Sequence, residues 1–286
     1  MIQVKGFHDS DTGTWTYLVF DRDTKDAVLI DPVLNYDPVA CRILTTSLNS
    51  VFSTVHTEGL IVHYILETHA HADHLSAAQF FKDKVPSAAV VIGDAISTTQ
   101  TTFKNLLSLD ESFPTDGRQF DVLVNDGTCL AAGSLEIRVI ATPGHTPTCC
   151  SYQIGDHVFV GDALFLPHSG TGRCDFPNGS AGDLYDSITQ KLYSLPDHLC
   201  LYTCHDYPEP GIAPQMCATV AEHKKANIHL NAETTKQAFI KFRTNRDAQL
   251  ENPRLLFQSI QVNIQAGNLP LPDGNGRRFL KLPLGD

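Results

Sequence analysis

The segment Thr68-His69-Ala70-His71-Ala72-Asp73-His74 sets three imidazoles and a carboxylate within six residues. Neutral imidazole and carboxylate are the donors that zinc, iron and manganese accept. His69 and His71 stand two apart, whereas neighbours on one helical face stand three or four apart. A tight loop with converging side chains suits that spacing. More donors follow downstream: His145 closes Ala141-Thr142-Pro143-Gly144-His145, Asp162 follows Val158-Phe159-Val160-Gly161, and His205 follows Cys200-Leu201-Tyr202-Thr203-Cys204. The chemistry is that of a protein-held metal ion.

Each donor lies at the end of an apolar run. Leu60–Leu66 precedes the first cluster, Leu135–Ile140 precedes His145, and shorter runs precede Asp162 and His205. Runs of this kind read as buried strands, so four loops from four strand ends can meet at one rim. Thr16–Phe20 and Asp26–Ile30 read as two more strands, and Asp31-Pro32 is expected to end the second and brace the site loop. Asp37-Pro38 predicts a helix start, with Asp as N-cap and Pro at the first position. A second helix is expected from Asp73 to Pro86. Leu184, Ile188, Leu192 and Leu195 recur at helical spacing, and residues 214–229 and 233–247 read as helical. Asn252-Pro253 opens a last helix, with Leu256, Ile260 and Ile264 on one face and Gly267 as its stop. Periodicity alone gives α and β elements in layers.

The chain has 286 residues, 42% of them hydrophobic, and a net charge of −11. That length suits one large domain or one domain with an extension, and the acidic balance argues against a nucleic-acid partner. The first residues form no apolar signal region, and no run reaches the roughly 18 apolar residues of a membrane helix. The expectation is a cytoplasmic protein without a membrane partner. Eight scattered cysteines form no C-x-x-C pair and are expected to be reduced and mostly buried. Cys174 and Cys204 stand beside Arg173 and His205 and are read as packing residues. Arg243 and Arg246, one turn apart, read as a solvated helix face. His63, His157 and His168 lack motif partners and read as structural or exposed.

The pattern His69-x-His71-x-Asp73-His74, followed by His145, Asp162 and His205, resembles the metallo-β-lactamase superfamily. That resemblance implies an α+β fold, a four-layer αββα sandwich. It covers about residues 1–210 as the catalytic core, with 211–286 expected as a C-terminal helical extension packed on the core within the same domain. In the superfamily the full set can hold two metals: His69, His71 and His145 in one site, Asp73, His74 and His205 in the other, and Asp162 bridging. Glyoxalase II-like thioesterases work with such a pair. The persulfide dioxygenase branch keeps the same residues but fills one position, iron(II) held by the residues matching His69, His145 and Asp162. The ligand list does not separate these branches.

Other residues bear on the choice. Gly170-Thr171-Gly172-Arg173-Cys174-Asp175-Phe176 resembles the G-x-G-R-x-D-F element of persulfide dioxygenases, and His205-Asp206-Tyr207 resembles their His-Asp-Tyr. Thr171 departs from the cysteine of the human-type sequence. The C-terminal part resembles a bacterial subgroup of these dioxygenases. The resemblance thus implies oxidation of glutathione persulfide by O2 to sulfite and glutathione, with one Fe(II) per chain. His71, Asp73, His74 and His205 would orient the ligands or form the second metal position, Arg173 and Tyr207 would bind substrate, and a homodimer is the assembly suggested. The alternative is a binuclear glutathione thioester hydrolase, for which zinc is the expected metal.

Overall fold

The structure is a computed structural model and describes residues 1–284. The first sheet contains β1 (Ile2–Asp9), β2 (Thr14–Asp21) and β3 (Asp26–Ile30) as an antiparallel meander. Beyond a small hairpin of β4 (Val33–Asp37) and β5 (Arg42–Leu44), helix α1 (Thr46–Glu58) carries the chain back to β6 (Ile61–Leu66), parallel to β3. The sheet is completed in parallel by β8 (Ala89–Gly93) and β9 (Val122–Val124), reached through β7 (Leu75–Ser76), α2 (Ala78–Lys82) and α3 (Ile96–Leu106).

The second sheet has the order β10 (Cys129–Ala132), β11 (Leu135–Ala141), β12 (Cys150–Ile154), β13 (His157–Phe159), β14 (Cys200–Tyr202), β15 (Cys217–Thr219). Its helices are α4 (Ala181–Asp186), which widens into a π-helical stretch over Ser187–Leu192, then α5 (Val220–Ala226) and α6 (Lys236–Asp247). The last helix, α7 (Leu256–Asn263), returns to the first sheet.

Alternation along β2 explains the layering, because successive side chains of a strand point to opposite faces. Tyr17 and Val19 join Ile137, Val139, Tyr152 and Phe159 in the core between the sheets. Leu18 and Phe20 face the other way, onto Leu48 of α1, Phe81 of α2, Phe103 of α3 and Ile260 of α7. On the far side Val158 and Leu201 meet Leu184, Ile188, Val220 and Phe239. Three cores between four layers make the αββα sandwich. Among the described residues no helix is long and apolar enough to cross a membrane.

Three helix expectations need correction. Asp37-Pro38 opens no helix: the Asp37 carboxylate accepts from the amides of Val39 (2.9 Å) and Ala40 (3.0 Å), closing the β4–β5 hairpin. Asp73 lies in an irregular loop, and the helix after it is only Ala78–Lys82, because Leu75-Ser76 first pairs with β4. Within 214–229, Cys217–Thr219 is a strand paired with β14, and the helix begins at a capping box of Thr219 and Glu222.

His223 of α5 is fully buried, and its Nε2 has no partner. Burial pushes its pKa down from 6.5 to about 4. The unfolded chain therefore takes up a proton that the fold refuses, so stability is intact above pH 6.5 and is lost as pH falls toward 4. The shift corresponds to about 3 kcal/mol. A His223→Met chain should lose less stability than the wild type between pH 6.5 and 4 in urea unfolding; parallel losses would refute this origin.

Candidate metal centre

The donors are aimed by a frame centred on Asp31. This residue follows β3 with φ of +46°, a left-handed conformation that Asp tolerates better than most residues. Its carboxylate accepts from the Thr68 amide (2.8 Å), the Thr68 hydroxyl (2.9 Å) and His71 Nε2 (2.9 Å). Because the Thr68 proton goes to Asp31, the Thr68 oxygen accepts from His69 Nδ1 at 3.0 Å. His69 then presents Nε2 as a bare lone pair. The same logic fixes His71, whose Nε2–H is spent on Asp31, so that Nδ1 is its free donor atom. His145 donates Nδ1–H to the Arg173 carbonyl at 2.7 Å, which leaves its Nε2 3.6 Å from Asp162. A second bond that sets the tautomer in this way is the usual support for a metal-binding imidazole.

The close approach of the Arg173 segment depends on Gly172. A Cβ there would stand 2.0 Å from the Asp162 carbonyl oxygen and 3.4 Å from His145 Nδ1.

The structure brings every sequence-selected donor to one rim, in overlapping groups. Donor atoms of His69, His145 and Asp162 lie within 4.8 Å of one another, as do those of His71, Asp73 and His74. His205 Nε2 lies 3.3 Å from both Asp73 and Asp162, linking the groups. His69 Nε2, His71 Nδ1, His74 Nε2 and Asp162 Oδ1 are buried without a hydrogen-bond partner. Each such atom costs about 1–3 kcal/mol. Several bare acceptors converging on one spot fit a cation, so these residues suit a metal ion. The Asp31, Glu67 and His71 cluster is already satisfied internally, with Glu67 bound by Ser76, and serves as support.

Electrostatics sort the imidazoles. Burial, reinforced by neighbouring imidazoles, holds His69 well below the usual histidine range. Burial also lowers His145, against the pull of Asp162. Both are therefore neutral donors at pH 7. For His71 and His205 burial acts in the same direction but is overcome, by Asp31 in the first and by Asp162 and Asp73 in the second, and both are raised. Burial would raise Asp73, but His205 and His74 pull it far down.

A pocket opens above His145, Asp162 and His205, walled by Phe165, Phe176 and Arg173. The Arg173 guanidinium is engaged: two nitrogens bind Asp175 at 2.6 Å, and a third donates to the Glu251 carbonyl at 2.7 Å. Tyr207 stacks on His205 at 5.7 Å and is 69% exposed at the rim. Cys174 and Cys204 are buried with thiols pushed upward by burial, the inert packing state. His63 is structural, as expected, held by Asp26 at 2.7 Å. His157 meets the Tyr202 hydroxyl at 3.1 Å, and His168 is exposed.

Arg243 is the main residue that the sequence reading missed. It is no part of a solvated face: it is 1% exposed, pairs with Asp247 and donates to the Thr171 carbonyl at 3.1 Å. Its partner stands four residues on, a legible helical spacing, but nothing local shows that the face turns inward. Asp247 in turn accepts from the Cys174 amide at 2.8 Å, so the pair ties α6 to the Thr171–Cys174 loop. Arg243→Met strands a buried carboxylate and should cost about 3–5 kcal/mol in urea unfolding; a loss below about 1 kcal/mol would contradict this role.

Comparison with known proteins places this geometry. Residues 10–205 match the metallo-beta-lactamase superfamily. The chain is 44% identical to a protein named Glyoxylase B2 from Dictyostelium discoideum, over 99% of this chain and 97% of that one. It is 30% identical to the human mitochondrial persulfide dioxygenase ETHE1, over 89% of this chain and 84% of that one. The crystal structure of ETHE1 from Myxococcus xanthus superposes with a TM-score of 0.74 at 32% identity, covering 93% of this chain and all of that one.

Proposed function

From the premise that the chain belongs to the metallo-beta-lactamase superfamily, we propose that it is a persulfide dioxygenase using one iron(II) held by His69, His145 and Asp162. The balanced reaction is glutathione persulfide + O2 + H2O → glutathione + sulfite + 2 H+. The observation that carries this reading is the grouping of donor atoms. His69, His145 and Asp162 form a two-histidine, one-carboxylate set, of which His145 and Asp162 line the open pocket; His71, Asp73 and His74 form a second set of the same composition, of which only Asp73 reaches that pocket. A set of that composition is the one expected for non-haem iron oxygenases. The likeness to two ETHE1 proteins supports the same branch.

Iron(II) bound there supplies the redox chemistry and favours the anionic form of the substrate sulfur. The protein's own part follows from its contacts. Thr68 and the Arg173 carbonyl keep His69 and His145 in the tautomers that leave Nε2 bare. Phe165 and Phe176 restrict water around the reacting sulfur. Arg173, fixed by Asp175 and stacked 5.4 Å from the Phe176 ring, forms a rigid cationic wall for glutathione. Tyr207 offers a hydroxyl at the rim. Arg246 and Arg254 line the mouth, exposed and without an acidic partner within 4 Å among the described residues, and supply charge for the glutathione carboxylates.

A second reading, a binuclear glutathione thioester hydrolase, is favoured by the likeness to Glyoxylase B2 and by the complete donor set. Oxygen uptake by anaerobically purified, iron-loaded protein on addition of glutathione persulfide separates the two. Uptake with sulfite as product and about one iron per chain is the expected result. No uptake, two zinc ions and thiol release from a glutathione thioester would establish the hydrolase.

A further inference from the structure

His229, in the connection between α5 and α6, lines the pocket above the donors but belongs to none of the metal-holding groups. The segment that carries it is pinned to the loop before Arg173. The Ile228 amide donates to the Pro167 carbonyl at 2.9 Å, and the Asn227 side chain donates to the Gly170 carbonyl at 3.0 Å. The Asn227 oxygen accepts from the amides of His229 and Leu230, both at 3.0 Å. The imidazole lies directly on Gly170, whose φ is +91° and where a Cβ would stand 2.1 Å from Nδ1. Phe242 of α6 packs against the ring, with centroids 4.6 Å apart.

Two donors decide where the imidazole proton sits. The Thr171 amide donates to Nδ1 at 3.0 Å, and Arg243 Nη1 stands 3.5 Å from the same atom. An amide N–H and a guanidinium can only donate, so Nδ1 is a lone pair and the proton of the neutral ring is on Nε2. Burial, reinforced by Arg243 and Arg246, pushes the pKa down from 6.5 to about 4, so the ring is neutral at pH 7. Among the described residues no group hydrogen-bonds Nε2, and that atom is not shut inside the protein. His229 therefore offers the pocket one neutral N–H in a fixed place.

The neighbours indicate what that donor meets. Thr171 stands two residues before the Arg173 carbonyl that supports His145. Arg243 stands one turn before Arg246, at the arginine mouth. His229 thus joins the wall behind the metal donors to the mouth. In glutathione the amide groups likewise join the sulfur-bearing residue to the terminal carboxylates. Arginines suit the carboxylates, and a neutral N–H suits an amide carbonyl.

We propose that His229 is a specificity-determining residue that binds a peptide carbonyl of glutathione through Nε2–H. The proposal rests on the pocket being a glutathione site, which persulfide oxidation and thioester hydrolysis share. His229→Asn is the informative variant, because the Asn oxygen can replace Nδ1 as acceptor for Thr171 while nothing replaces Nε2.

In the iron-loaded protein, His229→Asn should raise the KM for glutathione persulfide about tenfold, the loss of one neutral hydrogen bond, with kcat unchanged. The KM for the persulfide of mercaptoethanol, which has no amide, should not move. An unchanged KM for glutathione persulfide, or an equal rise for both persulfides, overturns the proposal and leaves the dioxygenase reading standing. The second measurement uses the unaltered, zinc-loaded protein and S-methylglutathione, which neither reaction consumes. A crystal structure of that complex should place Nε2 within hydrogen-bond distance of a peptide carbonyl oxygen; a ligand bound elsewhere, or no binding, overturns the proposal. That contact in a protein that consumes no oxygen with persulfide supports His229 and rejects the dioxygenase reading instead.

Discussion

Asp162→Asn is expected to yield a folded protein that keeps little metal and loses about a thousandfold in activity, equivalent to about 4 kcal/mol. Asparagine preserves the shape but removes the one anionic donor of the His69, His145 and Asp162 group. That carboxylate lies 3.6 Å from His145 Nε2 and 3.3 Å from His205 Nε2, so its charge serves both donor groups. Without it the pKa of His205 should fall, because Asp162 is the strongest of the charges that raise it against burial. Metal per chain after dialysis, the circular dichroism spectrum and activity are the readouts. Unchanged metal content with unchanged activity would remove Asp162 from the centre.

Asp31→Ala should act through the frame without touching the donors. It leaves the Thr68 amide, the Thr68 hydroxyl and His71 Nε2 without their shared acceptor. Three stranded buried donors suggest a loss of about 3–5 kcal/mol. The Thr68 hydroxyl also becomes free to turn toward His69, which releases the tautomer that bares Nε2. Metal affinity should then fall about 10–100-fold, the range for removing a partner behind a ligand. Asp31→Asn is the informative companion, because it tolerates the left-handed backbone yet cannot accept all three bonds as an anion. If Asn restores both unfolding free energy and metal affinity, backbone conformation and not charge is the reason for Asp31.

The metal donors were legible because each depends on local facts: residue type, a spacing of one or two, and an apolar run just before. The four-layer order was legible only through the resemblance, since periodicity in β2 or β6 does not say which sheet covers which face. The failed helix at Asp37 shows how a correct local signal can mislead. Its carboxylate does bond two following amides, as an N-cap would, but the same bonds also make a hairpin turn, and only pairing of Asn35 with Leu44 decides between them. The Thr219-x-x-Glu222 capping box was legible and would have moved the start of α5 to its observed place. Arg243 was opaque for the opposite reason: its burial depends on Thr171, 72 residues away.

Asn263, at the end of α7, also acts over a long separation. Its amide donates to the His71 and His74 carbonyls at 2.7 and 2.8 Å, and its oxygen accepts from the Ser76 amide at 2.7 Å. These bonds close the ligand loop from 187 to 192 positions downstream. During synthesis the clasp emerges long after the His71–His74 loop that it latches. A nascent chain therefore carries an unlatched ligand loop until α7 is made. Stop codons that spare every donor but remove α7 should be as damaging as loss of a histidine.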